Sequence, residues 1–528
     1  MISAGAEAKD LPCWEGEKKL GLLPTKESGF DFPNDDTILD RVRKVTPRNW
    51  ACAGLDALMP EILRRKSGTR RAVGSTAWLD GLRGWAALIV CMVHLTVYTH
   101  QDIELCYGHP LLGIPQYNNT PAALPILRIF FTGGHYAVMV FFVISGYVIT
   151  KKPISLLHEG RREDFIEAIN SAMIRRPLRL FLPVVWSTLF FAMSWHIFGI
   201  ATPWPEHQPN IIAEFVRWCK ETSQFFYFFR TGFLFTWYNP HTWTIPVELR
   251  GSMFLFVWLF VLHQLPNRAR ILMTVGMILH LSIGSSGAWY ACFFAGMLTA
   301  ELDLLDSETT AAAQIKLPWD ALLKELKSRP GVWALIMHTT LLCGLFLGSE
   351  PSSDYMKKGE LYGSCWGWST LHHAIPRAYG DGDSTNRWFW LFWAAWMLVV
   401  AINGIDWVKR LFEARFSQYL GKISFSLYLL HGPLIAIYSE RLFYLTGVKA
   451  PITPDQIARI GYLHNKWHDA SWWPLSDGGS PGLEPNFLFC VALSIPVFLY
   501  AAELGTKVFD IPSLHLSRRA YTHLKALR

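Results

Sequence analysis

About ten apolar stretches recur along the 528-residue chain, at about 78–97, 133–150, 178–201, 242–264, 270–285, 287–303, 331–348, 388–404, 422–439 and 486–506. A helix rises about 1.5 Å per residue, so roughly 20 apolar residues cross a hydrocarbon core about 30 Å thick. Several of these runs are shorter than that, which leaves their ends soft. The composition agrees with a chain that lives in lipid. It is 51% hydrophobic and 14% aromatic, with 17% charged residues and a mean hydropathy of +0.20, where a soluble domain carries about 25% charged residues. The 24 tryptophans suit the headgroup interface that indoles favour. The expected fold is all-α, a polytopic bundle of about ten transmembrane helices.

The net charge of +7 is not gathered into a block of the kind that grips nucleic acid. Basic residues flank the spans instead, and with the N-terminus on the cytosolic side they fall on inner segments at 151–179, 267–270, 408–415 and the C-terminal tail. The mixed 304–330 loop is the one inner segment that is not clearly basic. The outer segments, 98–132, 202–241, 349–387 and 440–485, are rich in Trp, Tyr, Pro, Gly and His. Cys106 and Cys365 both fall outside, where an oxidising compartment permits a bridge; two unpaired thiols fit the sequence equally well. Asn118-Asn119-Thr120 has the form of a glycosylation site, weakened by Pro121. The nine cysteines show no CxxC spacing, and His372-His373 lack partners at ligand spacing, so no metal is expected. The opening residues do not read as a cleaved signal peptide.

Three parts are expected: a cytosolic tail over 1–75 with one amphipathic helix near 55–66, a membrane domain over 76–512, and a basic cytosolic tail over 513–528. Both termini are then cytosolic in a multi-pass protein of the endoplasmic reticulum, another endomembrane or the plasma membrane. The apolar but interrupted segment at 225–237 reads as re-entrant or interfacial. No internal repeat of the kind transporters carry is evident.

Inside the first apolar stretch stand Arg83 and His94, eleven positions apart. Eleven residues are close to three turns, so both side chains leave nearly the same face, about 16 Å apart along the axis. An arginine at bilayer depth costs roughly 2.5–3.5 kcal/mol on insertion scales, so a span rarely keeps one without a use. Arg83 begins near the inner surface, where a guanidinium can hold phosphate in a bidentate way. His94 lies deeper. Its imidazole titrates near neutral pH and is the best candidate for a base that takes and returns a proton.

Four more clusters follow: GGHYAVMVFFVISGYVIT, with the small pair Ser145-Gly146; RRPLRLFLP, with Arg175, Arg176 and Arg179; HTWTIPVELRGS, with Trp243 and Glu248; and GKISFSLYLLHGPL, with His431. Glu248 enters from the outer side to a depth like that of His94, placed to orient its imidazole or to hold an acceptor; a structural pair with Arg250 or Arg83 is the plainer reading. In their order and content the five clusters resemble the acyltransferase 3 family of integral-membrane O-acyltransferases, over about 76–512 and including Asp510 before the final proline. The tail, the TIPVELRGS wording and the Trp-rich loops resemble its fungal members. Leu249-Arg250-Gly251 departs from the family's usual residues after the glutamate, so only the Trp and Glu carry over.

The resemblance implies acyl transfer, with a short-chain acyl group, acetyl above all, moving from acyl-CoA to a hydroxyl of a glycan or of a secondary metabolite such as a polyketide or terpenoid. It implies His94 as general base. From topology and side-chain chemistry Glu248 is a second catalytic candidate, and Arg83, Arg175, Arg176 and Arg179 are candidates for the mouth of an inward-facing donor channel. Ordinary topology-setting charge is the alternative for the RRPLR run. His431 and Trp243 are candidates for substrate binding. Acyl-CoA is a donor substrate, with no permanently bound cofactor. A membrane carrier without chemistry is the alternative from another class.

Overall fold

A computed structural model describes Pro60 and residues 74–527, apart from 112–115, 200–204, 206, 228, 230–233, 308–315, 353–357, 381–384 and 454–467. The chain divides at Thr76–Ala77 into two units. The first unit is almost wholly outside the described residues, as is the amphipathic helix expected near 55–66 and much of the segment at 225–237. Among the described residues of the second unit the regular structure is helical, with only the isolated bridges Pro110–Tyr117 and Thr236–Asn239 beside it.

The long helices follow the apolar stretches: α1 (Ala77–Val97), α2 (Gly134–His158), α3 (Arg162–Phe198), then the amphipathic α4 (Ile211–Phe225), α5 (Thr244–Leu262), α6 (Asn267–Leu279) and α7 (Ala288–Ser307). A short α8 (Asp320–Lys327) precedes α9 (Pro330–Gly348), α10 (Arg387–Gly404), α11 (Asp406–Glu413), α12 (Arg415–Leu434), α13 (Pro485–Gly505) and α14 (Ile511–Ala526). Among the described residues eight helical segments are long and apolar enough to cross a membrane, or nine when the pair α10–α11, bent by 98°, is counted as one span. The remaining expected span, near 270–285, is α6, whose 13 residues run on into a π turn at His280–Gly284. The protein is a multi-pass helical bundle. The residues after Asp510 continue as α14, which packs on α3.

Without a hydrophobic drive between helices in lipid, close packing needs small residues at the contacts. Two interfaces show this. Where α1 meets α12, a Cβ on Gly84 would lie 2.4 Å from the Gly421 nitrogen, and one on Gly421 would lie 2.3 Å from the Asp80 carbonyl oxygen. Where α2 meets α7, a Cβ on Gly146 would lie 2.0 Å from the Phe293 carbonyl, and one on Gly296 would lie 2.0 Å from that of Val143. The close contact expected of Ser145-Gly146 is therefore made by the glycine, while the serine beside it turns to other partners.

At the end of the bundle where α1 finishes, Cys106 and Cys365 form a disulfide with Cα atoms 5.7 Å apart. Asn118 is buried there, and its amide donates to the Asp102 and Leu105 carbonyls at 2.9 Å each. Its nitrogen is thus committed to the fold and closed to glycosylation.

Gly146→Leu should lower the thermal midpoint sharply in detergent, by the equivalent of about 2–3 kcal/mol or more, because the overpacked contact is with backbone that cannot turn aside. Gly276→Leu, where nothing lies within 4 Å of the added Cβ, should leave the midpoint near that of the wild type.

Candidate active site

The parallel pairing of α1 with α12 sets two levels of chemistry. At the lower level Arg83 donates from Nε to Ser424 Oγ and from Nη2 to the Gly421 carbonyl, each at 2.9 Å, and pairs with Asp80 at 3.2 Å. The glycine contact allows this, since a bulkier residue at 84 or 421 would hold α12 out of the guanidinium's reach. Arg179 on α3 lies within electrostatic range of Asp510, Arg176, Arg83 and Arg175. The four arginines singled out in the sequence thus share one region, with Asp510 as their acidic neighbour.

Arg176 and Glu248 are brought together. The Glu248 carboxylate pairs with the Arg176 guanidinium and accepts the Ser145 hydroxyl at 2.5 Å. Arg176 also donates to Ser145 Oγ at 2.8 Å and to Ser252 Oγ at 3.0 Å, and Ser252 in turn donates to the Glu248 carbonyl at 2.7 Å. Each charged side chain is only 15% exposed. The carboxylate that sequence reasoning set beside His94, and the guanidinium it set at the donor mouth, are here each other's partners. Their network ties α2, α3 and α5 together.

At the upper level three imidazoles meet: His94 on α1, His431 on α12 and His241 in the 3-10 turn Pro240–Trp243 that leads into α5. Ring centroids lie 4.0 Å apart for His94–His241, 5.1 Å for His94–His431 and 4.7 Å for His241–His431. One nitrogen from each lies within 4.8 Å of the others, a grouping that also has the donor set for a metal ion. His94 and His431 were singled out in the sequence. His241 was not, although it stands in the quoted HTW motif.

The sequence His431-Gly432-Pro433 explains how this site is built. Proline lacks an N–H and so leaves the carbonyl four residues back, that of Leu429, without its helical donor. The Asn239 side-chain amide supplies one at 2.7 Å and docks the turn that carries His241. Gly432 provides the room, since a Cβ there would lie 2.2 Å from His241 Cδ2. Tyr428 completes the clasp, donating to the His241 carbonyl at 2.7 Å and accepting from Thr244 Oγ1 at 2.8 Å. Trp243 packs outward from the turn with Trp289 and Trp388, at centroid spacings of 5.6 and 6.0 Å.

Residues 76–501 match the family model described as an acyltransferase domain, Acyl_transf_3. The chain belongs to the acyltransferase 3 family. It is 30% identical to the O-acetyltransferase PaAT-1 of Phomopsis amygdali over 91% of both chains. It is 24% identical to the acyltransferase clz18 of Cochliobolus lunatus over 70% of this chain and 84% of that one, and 22% identical to the acyltransferase R4 of a Phoma species over 71% and 85%. No solved structure matches the chain. Family membership makes it a membrane acyltransferase.

Removing one partner of a buried ion pair leaves an uncompensated charge and costs about 3–5 kcal/mol. Glu248→Ala should therefore lower the thermal midpoint of the purified protein strongly. Glu248→Ala with Arg176→Met should recover a large part of that loss, a coupling that a double-mutant cycle measures.

Proposed function

We propose that the protein transfers a short acyl group, acetyl above all, from acyl-CoA to a hydroxyl of a glycan or secondary metabolite, with His94 as general base. One observation carries this reading: a single helix of a family acyltransferase holds Arg83 in a basic cluster and, about 16 Å further along, His94 in a group of imidazoles. The donor's phosphates suit guanidinium groups, and Arg83, Arg175 and Arg179 are the candidates, with Arg176 held by Glu248. The Phomopsis relative's designation as an O-acetyltransferase supports acetyl as the group moved and oxygen as the atom that receives it.

In the proposed step His94 takes the acceptor's hydroxyl proton while the oxygen attacks the thioester carbonyl carbon. The C–O bond forms, the tetrahedral intermediate collapses, and the C–S bond breaks. The thiolate leaves as coenzyme A and recovers the proton from the His94 imidazolium, so base and acid are the same ring. Donor entry from the cytosol follows from the basic segments expected on that side. Trp243 and its neighbouring indoles offer an apolar wall to the acceptor. His431 stands against the ring of His94 at the same level.

The reconstituted protein should release free thiol from acetyl-CoA in the presence of acceptor, which a carrier without chemistry does not do. His94→Ala should reduce that release at least about 10³-fold while the variant still inserts and elutes as a single species. A His94→Ala protein that acylates at the wild-type rate would remove His94 as the base.

A further inference from the structure

His431 is 0% exposed, and the two nitrogens of its ring have unequal surroundings. Nδ1 lies 2.6 Å from the Tyr428 carbonyl oxygen. A carbonyl can only accept, so in the neutral ring Nδ1 carries the hydrogen and Nε2 carries the lone pair. Nε2 is itself buried and has no hydrogen-bond partner among the described residues. Leaving a buried acceptor unmet costs about 1–3 kcal/mol, so this nitrogen calls for a donor.

Two rings face it. The His241 and His94 centroids lie 4.0 Å apart with planes tilted by 48°, too close for an in-plane hydrogen bond between imidazoles. His94 and His431 are stacked, with centroids 5.1 Å apart and planes 24° apart, and one nitrogen of each lies within 4.8 Å of the other. A turn of the His94 ring about its last torsion can close that gap to an N–H···N bond of about 3 Å. Glu248, the carboxylate that would otherwise orient a catalytic histidine, is already occupied by Arg176 and Ser145.

We propose that His431 is the positioning residue for His94: its Nε2 accepts the N–H of the His94 ring, which leaves the other His94 nitrogen as the lone pair that takes the acceptor's proton. The inference rests on the reading of His94 as base. A hydrogen bond from His431 Nδ1 to a backbone carbonyl selects the tautomer of one ring, and that ring selects the tautomer of the next. A neutral imidazole takes the place that a carboxylate holds in a hydrolase triad. When His94 is protonated, the same bond shares the positive charge without burying a second ion. His241 packs against His94 at a 48° tilt and limits how far that ring turns.

The test compares His431→Phe and His431→Gln in the full-length reconstituted protein, with kcat, KM for acetyl-CoA and the thermal midpoint measured for each. Phenylalanine keeps a ring and removes the acceptor, whereas the glutamine amide oxygen can stand near the position of Nε2. His431→Phe should lower kcat on the order of 10²–10⁴-fold with KM for the donor little changed, because a base in the wrong tautomer loses rate rather than binding. His431→Gln should recover kcat to within about tenfold of wild type, since the amide oxygen restores the acceptor. Wild-type kcat in His431→Phe overturns the positioning role, and so does a His431→Gln protein as slow as His431→Phe at an unchanged midpoint. Stoichiometric zinc in the active protein, removable by chelator with loss of activity, also overturns it by assigning the three nitrogens to a metal. His94→Ala at the wild-type rate overturns the base reading itself, whatever His431 does.

Discussion

The approach of α1 to α12 through Gly84 and Gly421 is the contact on which the rest of the arrangement depends. With no side chain on either helix at the crossing, backbone meets backbone. The registry so set puts Arg83 against Gly421 and Ser424 and, three turns on, His94 against His431. A shift of one turn, about 5.4 Å, would part both pairs at once. The proposed donor site at one level and the proposed base at the other are thus tied to one helix-to-helix contact.

Two buried ion pairs show how charge is accommodated where water is scarce. Glu248 and Arg176 neutralise each other and use Ser145 and Ser252 to satisfy what remains. Arg270 and Glu301 form a second buried pair near His158, between α6, α7 and α2. Helix irregularities serve the same end. Pro433 frees a carbonyl of α12, and Asn239 uses that carbonyl to anchor the turn bearing His241. The site owes its third imidazole to a proline on a different helix.

Much of this was legible beforehand. The apolar stretches located the helices, and a resemblance resting on five motifs named the family that the match over residues 76–501 shows. Arg83, Arg175 and Arg176 lie within electrostatic range of Arg179. Glu248 was expected beside His94 because depth was counted along each helix separately. Depth along a helix does not fix lateral partners, and Arg176 forms a stronger pair with a carboxylate than a neutral ring does. His241 went unremarked because it lies in a turn, where no periodicity marks a residue as facing inward.

The sequence by itself determined the fold class, the approximate spans and the separation of Arg83 from His94, since the helical repeat fixes everything that one helix carries. Only the tertiary structure decided lateral partners: Cys106 with Cys365, Arg176 with Glu248, and His94 with His241 and His431. Those choices depend on how closely helices approach and at what registry. Glycines at the crossings and a proline-freed carbonyl set both, through contacts between residues hundreds of positions apart.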